Sequence, residues 1–209
     1  MPFKSISILS GPSFSNEVSQ GLPTAVTLAT KDKKDFNNIS KLIPNKEFRI
    51  YYSNDLIGTQ IGGSLKNIYA IAAGISEGLN LGENAKSALI SRSFAEMIRY
   101  AKKFKADKNT LFGLSGLGDL ILTCSSKSSR NTQFGIKLAS SKNDNFLDLL
   151  QSQEVTEGYY TVKAVYNISK KNKIDMPIME SVYNILYKQH DLKEELSNLL
   201  SRPITEEKI

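Results

Sequence analysis

Residues 56–76 are almost free of charge, and the pattern of their apolar side chains predicts a buried α-helix. The apolar positions recur every three or four residues, as they do on one face of a helix. They are Ile57, Ile61, Leu65, Ile68, Ala72 and Ile75. Gln60, Lys66, Asn67 and two glycines lie near the middle of the segment, where lipid tolerates polar groups poorly. We therefore predict a helix of the protein core and no membrane span.

Lys66 is the only charged residue of this segment, and two interpretations of it stay open. In the first, it is a core lysine whose ammonium reaches solvent along its aliphatic stem. In the second, it is a functional lysine, because Asn67 follows it and Gly62 and Gly63 let a backbone or a ligand approach closely. A functional lysine in such a segment is a candidate for proton transfer.

The chain divides by pattern near Asp55. Before it, β-rich runs at residues 5–11, 24–30 and 48–53 alternate with short helical stretches. After it, the periodicity is helical. The predicted fold class is therefore mainly α, with an all-helical domain at residues 55–209 that follows a small α/β unit at residues 1–54. Further helices are predicted at residues 83–105, 130–140, 146–153, 157–171, 177–188 and 192–201. Glycines 74, 78 and 82 predict the turn before the first of these.

The composition excludes a disordered or a fibrous protein. The chain has 209 residues, of which 40% are hydrophobic and 23% charged, as is usual for a folded globular protein. Its single cysteine, Cys124, excludes an internal disulfide and suits a reducing compartment, so we expect a cytoplasmic protein. The apolar run at the amino terminus is too short for a secretory signal.

The net charge of +6 makes nucleic acid a partner to consider. The lysines cluster at residues 31–35, 102–105 and 170–173, each near the end of a predicted helix, and no nucleic-acid motif accompanies them. We therefore expect solvated helix ends and no nucleic-acid partner. His190 has no cysteine or histidine nearby in the sequence, so no metal site is predicted.

A glycine-rich stretch, GLSGLGDLILTC, covers residues 113–124 and places Asp119 at the start of an apolar run. The order and spacing of its glycines do not fit a dinucleotide-binding fingerprint. A buried aspartate needs a partner, and Lys66 is the cation already expected inside the protein. The alternative, about as well supported, is a structural turn in which Asp119 caps a helix.

A second polar stretch, SSKSSRNTQFG, covers residues 125–135 and begins a predicted helix with serines, Arg130 and Asn131. Free amide N–H groups, the helix dipole and an arginine together suit an anion, and a phosphate is the natural candidate. A serine-capped helix with a solvated arginine is the commoner arrangement and stays open. The stretch LSGPSFSNEV, residues 9–18, is a strand that turns into a helix and adds only weak evidence for ligand contact.

Taken in order, these motifs resemble the bacterial-type NAD(P)-dependent glycerol-3-phosphate dehydrogenases over nearly the whole chain. The resemblance rests on LSGPSF, GLPTAV, DLIGTQIGGSLKNIYAIAAGISEGLNLGENAKSALISR, GLSGLGDLILTCSSKSSRNTQFG and EVTEGYYT. It implies the reduction of dihydroxyacetone phosphate to sn-glycerol 3-phosphate with NAD(P) as cofactor. That product is the precursor of phospholipid backbones, and the family often forms dimers, so a homodimer is expected.

The resemblance also implies roles for individual residues. Lys66 becomes the catalytic proton donor and acceptor, and Asp119 orients it. The implied substrate contacts are Gly11, Ser13, Lys66, Asn67, Asp119, Ser129, Arg130 and Asn131. The implied cofactor contacts are Ser15, Arg130, Val155 and Glu157. Ser15 stands where alanine is usual in the family, which is a mild departure.

The family begins with a Rossmann unit of about 130 residues that carries GxGxxG, and this chain starts at what would be the late strands of that unit. Residues 1–54 are therefore expected to be its remnant. We expect the isolated chain to bind nicotinamide cofactor poorly and to have little activity. The leading hypothesis is the substrate and catalytic half of the enzyme, with a separate nucleotide-binding chain as a possible partner. The alternative is a truncated, inactive remnant that acts only as a helical association domain.

Overall fold

The computed structural model describes residues 5–43, 46–140, 156–203 and 206–207. A three-stranded sheet lies at the start of the chain and helices follow it, so the predicted mainly α fold class is confirmed. The strands are β1 (Ser7–Ser10), β2 (Thr24–Thr30) and β3 (Phe48–Ser53). The helices are α1 (Ser15–Ser19), α2 (Lys33–Lys41), α3 (Leu56–Gly78), α4 (Glu83–Lys103), α5 (Lys108–Phe112), α6 (Asp119–Ser125), α7 (Arg130–Ser140), α8 (Glu157–Asn172), α9 (Pro177–Lys188) and α10 (Leu192–Leu200).

Most predicted elements appear with small shifts at their ends, which is the usual uncertainty of element boundaries. β2, β3, α7 and α9 have the predicted bounds. α4 ends two residues early because the chain turns at Lys105, whose φ is +57°. A π-helical turn at Leu114–Gly118 was not predicted. The helix predicted at residues 146–153 lies outside the described residues.

The sheet has the order β1-β2-β3, with β1 antiparallel and β3 parallel to the central strand. β2 is buried along nearly its whole length, as an apolar central strand should be. Gly11 directly follows β1; its φ is +148°, and a Cβ atom there would lie 2.9 Å from the Cα of Val26. Only glycine fits that position, and the turn there carries the chain toward α1.

Helix α3 is the centre of the helical part, and its side chains at Ile68, Tyr69 and Ile71 are fully buried. The side chain of Asp55 accepts a hydrogen bond from the Gly58 amide at 2.9 Å and so caps the start of the helix. Within the described ranges, no helix, α3 included, has both the length and the hydropathy needed to cross a membrane.

The predicted turn at glycines 74, 78 and 82 is wrong for the first two, because α3 continues through Gly78. Gly74 instead faces α7, where a Cβ atom on Gly135 would lie 2.9 Å from the Gly74 Cα and 2.8 Å from the Ile75 nitrogen. The two backbones therefore approach more closely than any larger side chain allows. Because of this contact, α7 lies alongside α3, and the first turn of α7 lies next to the middle of α3.

A buried carboxylate, Glu96 of α4, holds the start of α9. It accepts hydrogen bonds from the amides of Ile178 at 2.6 Å and Met179 at 3.2 Å, and from the Tyr69 hydroxyl at 3.3 Å. Burial raises the pKa of Glu96 to about 7, because these hydrogen bonds only partly replace the lost hydration.

We expect Gly135→Ala to destabilise the fold by about 1–3 kcal/mol, because the added methyl group meets the α3 backbone, which cannot move aside alone. Chemical denaturation measures this effect. Gly118→Ala is the matched control, since its Cβ atom would meet nothing closer than 3.7 Å. Equal stability of the two variants would contradict the close crossing of α3 and α7.

The raised pKa of Glu96 predicts a pH-dependent stability. The Glu96 carboxyl binds a proton more tightly in the folded chain than in the unfolded chain, where its pKa is about 4.5. Glu96 therefore contributes most below about pH 4.5, and that contribution is lost as the pH rises through about 7. Between about pH 5 and pH 8, the wild-type chain should lose on the order of 3 kcal/mol relative to Glu96→Gln. A difference in unfolding free energy between wild type and Glu96→Gln that stays the same at all pH values would contradict this assignment.

Candidate active site

A cleft of about 730 Å³ lies between the end of β1 and helices α3, α6, α7 and α8. Every described residue with a predicted role lines it. These residues are Gly11, Ser13, Ser15, Lys66, Asn67, Asp119, Ser129, Arg130, Asn131 and Glu157. Val155, a predicted cofactor contact, lies outside the described residues. A larger, mainly apolar cavity of about 830 Å³ between α4, α9 and α10 contains none of them.

Lys66 and Asp119 form a short ion pair in the cleft, with the ammonium nitrogen 2.5 Å from Oδ2 of the carboxylate. The Asp119 side chain is 3% exposed and the Lys66 side chain 22% exposed. The predicted pairing is therefore confirmed, and Lys66 does not simply extend its ammonium into open solvent. The alternative for Asp119 is wrong, because Gly118 occupies the N-cap of α6 and Asp119 is the first residue of the helix.

The backbone contact at Gly62 explains why the pair is within reach. A Cβ atom on Gly62 would collide with the carbonyl of Ser115 and lie 3.1 Å from the Cα of Gly116. The π-helical turn therefore lies directly against α3, one helical turn before Lys66. Asp119 follows that turn immediately, so its short side chain reaches the ammonium.

Thr123 is a cleft residue that the sequence analysis missed. Its hydroxyl donates to the Asp119 backbone carbonyl at 2.6 Å and lies 3.3 Å from Oδ1 of the same residue. Its own carbonyl accepts a hydrogen bond from the Thr132 hydroxyl at 2.8 Å, which joins α6 to α7. The spacing of four residues from Asp119 places Thr123 on the same helix face, and that spacing was the available signal.

The first turn of α7 has the serine cap, which is one of the two arrangements that the sequence left open; the anion site stays a prediction. The Ser129 hydroxyl accepts a hydrogen bond from the Thr132 amide at 3.2 Å, so a serine caps this helix. The Arg130 side chain is 77% exposed, yet it forms an ion pair with Glu157 of α8. The guanidinium is therefore accessible from the cleft and held by a carboxylate.

Asn131 joins three helices at the side of the cleft. Its Oδ1 accepts a hydrogen bond from the Gly158 amide at 3.0 Å, and its Nδ2 donates to Oδ1 of Asn67 at 3.2 Å. Nδ2 also lies 3.5 Å from a carboxylate oxygen of Glu157. α3, α7 and α8 therefore meet through one buried amide side chain.

The end of β1 forms the opposite side of the cleft with Gly11, Ser13 and Ser15. The Ser13 hydroxyl donates to the Gly11 carbonyl at 2.9 Å, so its oxygen can still accept a hydrogen bond from a ligand. Across the cleft, a Cβ atom on Gly63 would lie 2.9 Å from the Ser10 hydroxyl, which shows how near α3 comes to this strand.

The charges of the cleft cancel. Among its described lining residues, the charged side chains are those of the Lys66–Asp119 and Arg130–Glu157 pairs. In the first pair Asp119 is buried and the two charges lie at short range, whereas both partners of the second pair are exposed. An incoming anion can therefore compete for Arg130 far more easily than for Lys66.

Comparison with known proteins gives one family. The sequence model for the C-terminus of NAD-dependent glycerol-3-phosphate dehydrogenase matches residues 55–197, and the model for its N-terminus matches residues 1–36. The chain is similar to the enzymes named glycerol-3-phosphate dehydrogenase [NAD(P)+] of Solidesulfovibrio magneticus, with 45% identity, and of Blochmanniella pennsylvanica, with 46% identity. These matches cover 96% and 98% of this chain but 60% and 59% of those enzymes.

A solved structure gives the same result for the fold. The crystal structure of glycerol-3-phosphate dehydrogenase from Coxiella burnetii superposes with a TM-score of 0.89 at 39% identity. The match covers 95% of this chain and 61% of that one. The chain thus spans about 60% of the length of these relatives.

We expect Glu157→Gln to tighten the binding of inorganic phosphate by about threefold to tenfold at low salt, because Arg130 loses its competing carboxylate. The gain should shrink as salt screens both charges. Isothermal titration of the full chain measures the affinity. The matched control is Glu180→Gln, which breaks another ion pair, with Lys170, outside the cleft. Unchanged or weaker binding by Glu157→Gln would mean that Glu157 does not compete for Arg130.

Proposed function

The chain belongs to the NAD-dependent glycerol-3-phosphate dehydrogenase family, and we propose that it carries the substrate-binding and catalytic part of such an enzyme. The proposed reaction interconverts dihydroxyacetone phosphate and sn-glycerol 3-phosphate with NAD(P). The observation that supports it most directly is the Lys66–Asp119 ion pair in a cleft that also holds an accessible arginine.

Lys66 is the proposed proton donor for ketone reduction. When bound, the nicotinamide supplies the hydride that reaches C2 of the substrate. Negative charge then grows on the C2 oxygen, where the Lys66 ammonium stabilises it and donates a proton. Asp119 binds one of the three N–H groups of the ammonium and leaves the other two for the substrate. In the reverse direction, the neutral amine takes the proton from the C2 hydroxyl.

The substrate phosphate is assigned to the first turn of α7. Ser129 and Arg130 lie there, and the free backbone amides of a helix start favour an anion. Arg130 exchanges Glu157 for the phosphate, and its fork can bind two phosphate oxygens at once. The phosphate anchor then holds C2 beside Lys66, which converts binding energy into correct placement of the reacting atom. Gly11, Ser13, Asn67 and Asn131 are the remaining proposed substrate contacts.

The same cleft suits one end of a nicotinamide dinucleotide. The cleft is lined by Ser15, Arg130 and Glu157. The Arg130 guanidinium can bind a phosphate of the dinucleotide, and the Glu157 carboxylate beside it can accept a hydrogen bond from a sugar hydroxyl. Val155 would add a further contact from the segment that precedes α8. The role of these residues is to bind and orient the cofactor, while proton transfer stays with Lys66.

The organisation of the protein follows from the same proposal. Residues 1–54 are assigned to the nucleotide-binding domain and residues 55–209 to the helical substrate domain, a division that the separate family matches support. A homodimer, a cytoplasmic location, a role in phospholipid synthesis and a possible separate nucleotide-binding chain belong to the proposal as well. The single buried cysteine, Cys124, is in keeping with a reducing compartment.

We expect Lys66→Met to lower turnover by about 100-fold to 10,000-fold, because the proton donor is lost while the apolar stem remains. NADH oxidation with dihydroxyacetone phosphate measures the rate. It is followed for the chain alone and for a chimera that adds the part of the Blochmanniella relative outside the match. Lys170→Met, which removes an exposed lysine outside the cleft, is the control.

Two outcomes would contradict the proposal. Turnover that survives Lys66→Met undiminished would remove Lys66 from the chemistry. Failure of both the chain and the chimera to oxidise NADH would favour the alternative of an inactive helical association domain.

A further inference from the structure

The larger cavity between α4, α9 and α10, about 830 Å³ in volume, lies away from the candidate active site. Its mainly apolar lining includes core side chains of α9 that are at most 6% exposed, Ile178, Val182 and Ile185. The lining also includes Leu81 and Leu200, which are 38% and 78% exposed, so the cavity extends from the surface into the core. Folded proteins hold few voids of this size, whereas small-molecule sites usually measure about 300–1,000 Å³ and have apolar walls.

The shape of the cavity suits a linear ligand. The α4 residues of its lining recur every three or four positions from Ala85 to Arg99, so they form one face of the helix. At 1.5 Å per residue, this wall is about 21 Å long. The same spacing places Leu192, Leu196 and Leu199 of α10 along the lining. A slender, flexible chain can follow such a wall and still reach the buried core side chains, which the surface of a folded partner cannot.

One cation of the lining is available to a ligand. Arg92 is exposed, and it makes no ion pair or hydrogen bond with any residue that the structure describes. The other two arginines of the lining are engaged. Arg202 forms an ion pair with Asp175 at 3.2 Å, and Nε of Arg99 donates to the Asp175 carbonyl at 2.8 Å.

The acidic groups of the lining are either engaged or exposed. Glu96 accepts hydrogen bonds from the first amides of α9, and Glu195 is paired with His190 at 2.7 Å. Glu206 and Glu207 lie at the exposed end of the described chain. Arg92 can therefore bind an anionic group of a ligand without first giving up a carboxylate partner.

We propose that this cavity binds a long-chain fatty acid anion, with the alkyl chain along α4 and the carboxylate on the Arg92 guanidinium. Burial of the alkyl chain removes apolar surface from water and drives the binding. The planar guanidinium can donate two parallel hydrogen bonds to a carboxylate, so it fixes the charged end of the ligand on the exposed side of the cavity. The site is separate from the candidate active site and does not depend on the proposed reaction.

The length of the alkyl chain tests the apolar part of the site on the full wild-type chain. Titration calorimetry with octanoate, decanoate, dodecanoate and tetradecanoate, without substrate or cofactor, measures the affinities. We expect one bound anion per chain and an affinity that rises about threefold to fourfold with each added CH₂ group. The absence of saturable binding, or an affinity that does not depend on chain length, would overturn the proposal.

Ala88→Trp tests the location of the bound chain. Ala88 is an exposed residue of the lining, so an indole there can occupy part of the cavity while the core side chains stay in place. The dodecanoate affinity should fall about tenfold or more, because several CH₂ groups lose their place. Ser87→Trp, at the neighbouring exposed position outside the lining, should bind as the wild type does.

Two results with these variants would overturn the proposal. One is equal dodecanoate affinity in Ala88→Trp and Ser87→Trp. The other is a wild-type dimer in light scattering that binds no dodecanoate and that Ala88→Trp separates into monomers, because a second copy of the chain would then cover the cavity.

Arg92→Gln tests the charged end of the ligand. We expect the variant to bind dodecanoate about threefold to tenfold more weakly, while its affinity for the uncharged dodecanol stays the same. Lys103→Gln, which removes an exposed cation of α4 outside the lining, is the control and should change neither affinity. Equal weakening of both ligands in Arg92→Gln, or no weakening of dodecanoate, would overturn the assignment of the carboxylate to Arg92.

Discussion

The candidate site depends on how closely α3 approaches the backbones around it. At Gly62 it meets the turn before α6, at Gly74 it meets Gly135 of α7, and at Asn67 it meets Gly158 of α8. Each contact requires a glycine on at least one side, because a Cβ atom would overlap backbone or buried side-chain atoms. These short separations let side chains from four helices meet around Lys66. They also bury Asp119 and Asn131, so the polar groups of these two side chains must find partners within the protein.

The two ion pairs of the cleft differ in burial, and that difference suits them to different tasks. Asp119 is almost fully buried, so removing its partner would leave an uncompensated charge, and the Lys66–Asp119 pair is held in place. Arg130 and Glu157 are exposed, and pairs of that kind contribute little net stability. A ligand phosphate can replace Glu157 as the partner of Arg130 at a small cost in free energy. Lys66, which is proposed for proton transfer, keeps its position beside Asp119.

Residue patterns predicted the elements better than the contacts between them. β2 and β3 had the predicted bounds because β-branched and aromatic residues fill them, and α9 because a proline marks its first turn. The Lys66–Asp119 pair was predictable since a buried carboxylate in an apolar run needs a cation. Gly74 and Gly78 were assigned to a turn because a single sequence does not show which backbone a helical glycine faces. The hydrogen bonds of Asn131 to Gly158 and Asn67 were missed for the same reason, because they form only once α8 packs on α3 and α7.

The cleft is also supported from a distance, through the packing of α9. Glu96 binds the first amides of α9, and α9 stacks on α8 through tyrosines, with Tyr166 and Tyr183 ring centroids 3.7 Å apart. The Tyr187 hydroxyl donates to the Tyr159 carbonyl at 2.9 Å, two residues after Glu157. The first turn of α8, which supplies Glu157 and Gly158 to the site, thus rests on a helix whose start is held by a buried carboxyl with a pKa of about 7. Asp119 is buried beside a cation, whereas Glu96 has mainly neutral hydrogen-bond donors around it. The ionisation of Glu96 near neutral pH therefore alters how firmly α9, and with it α8, is held.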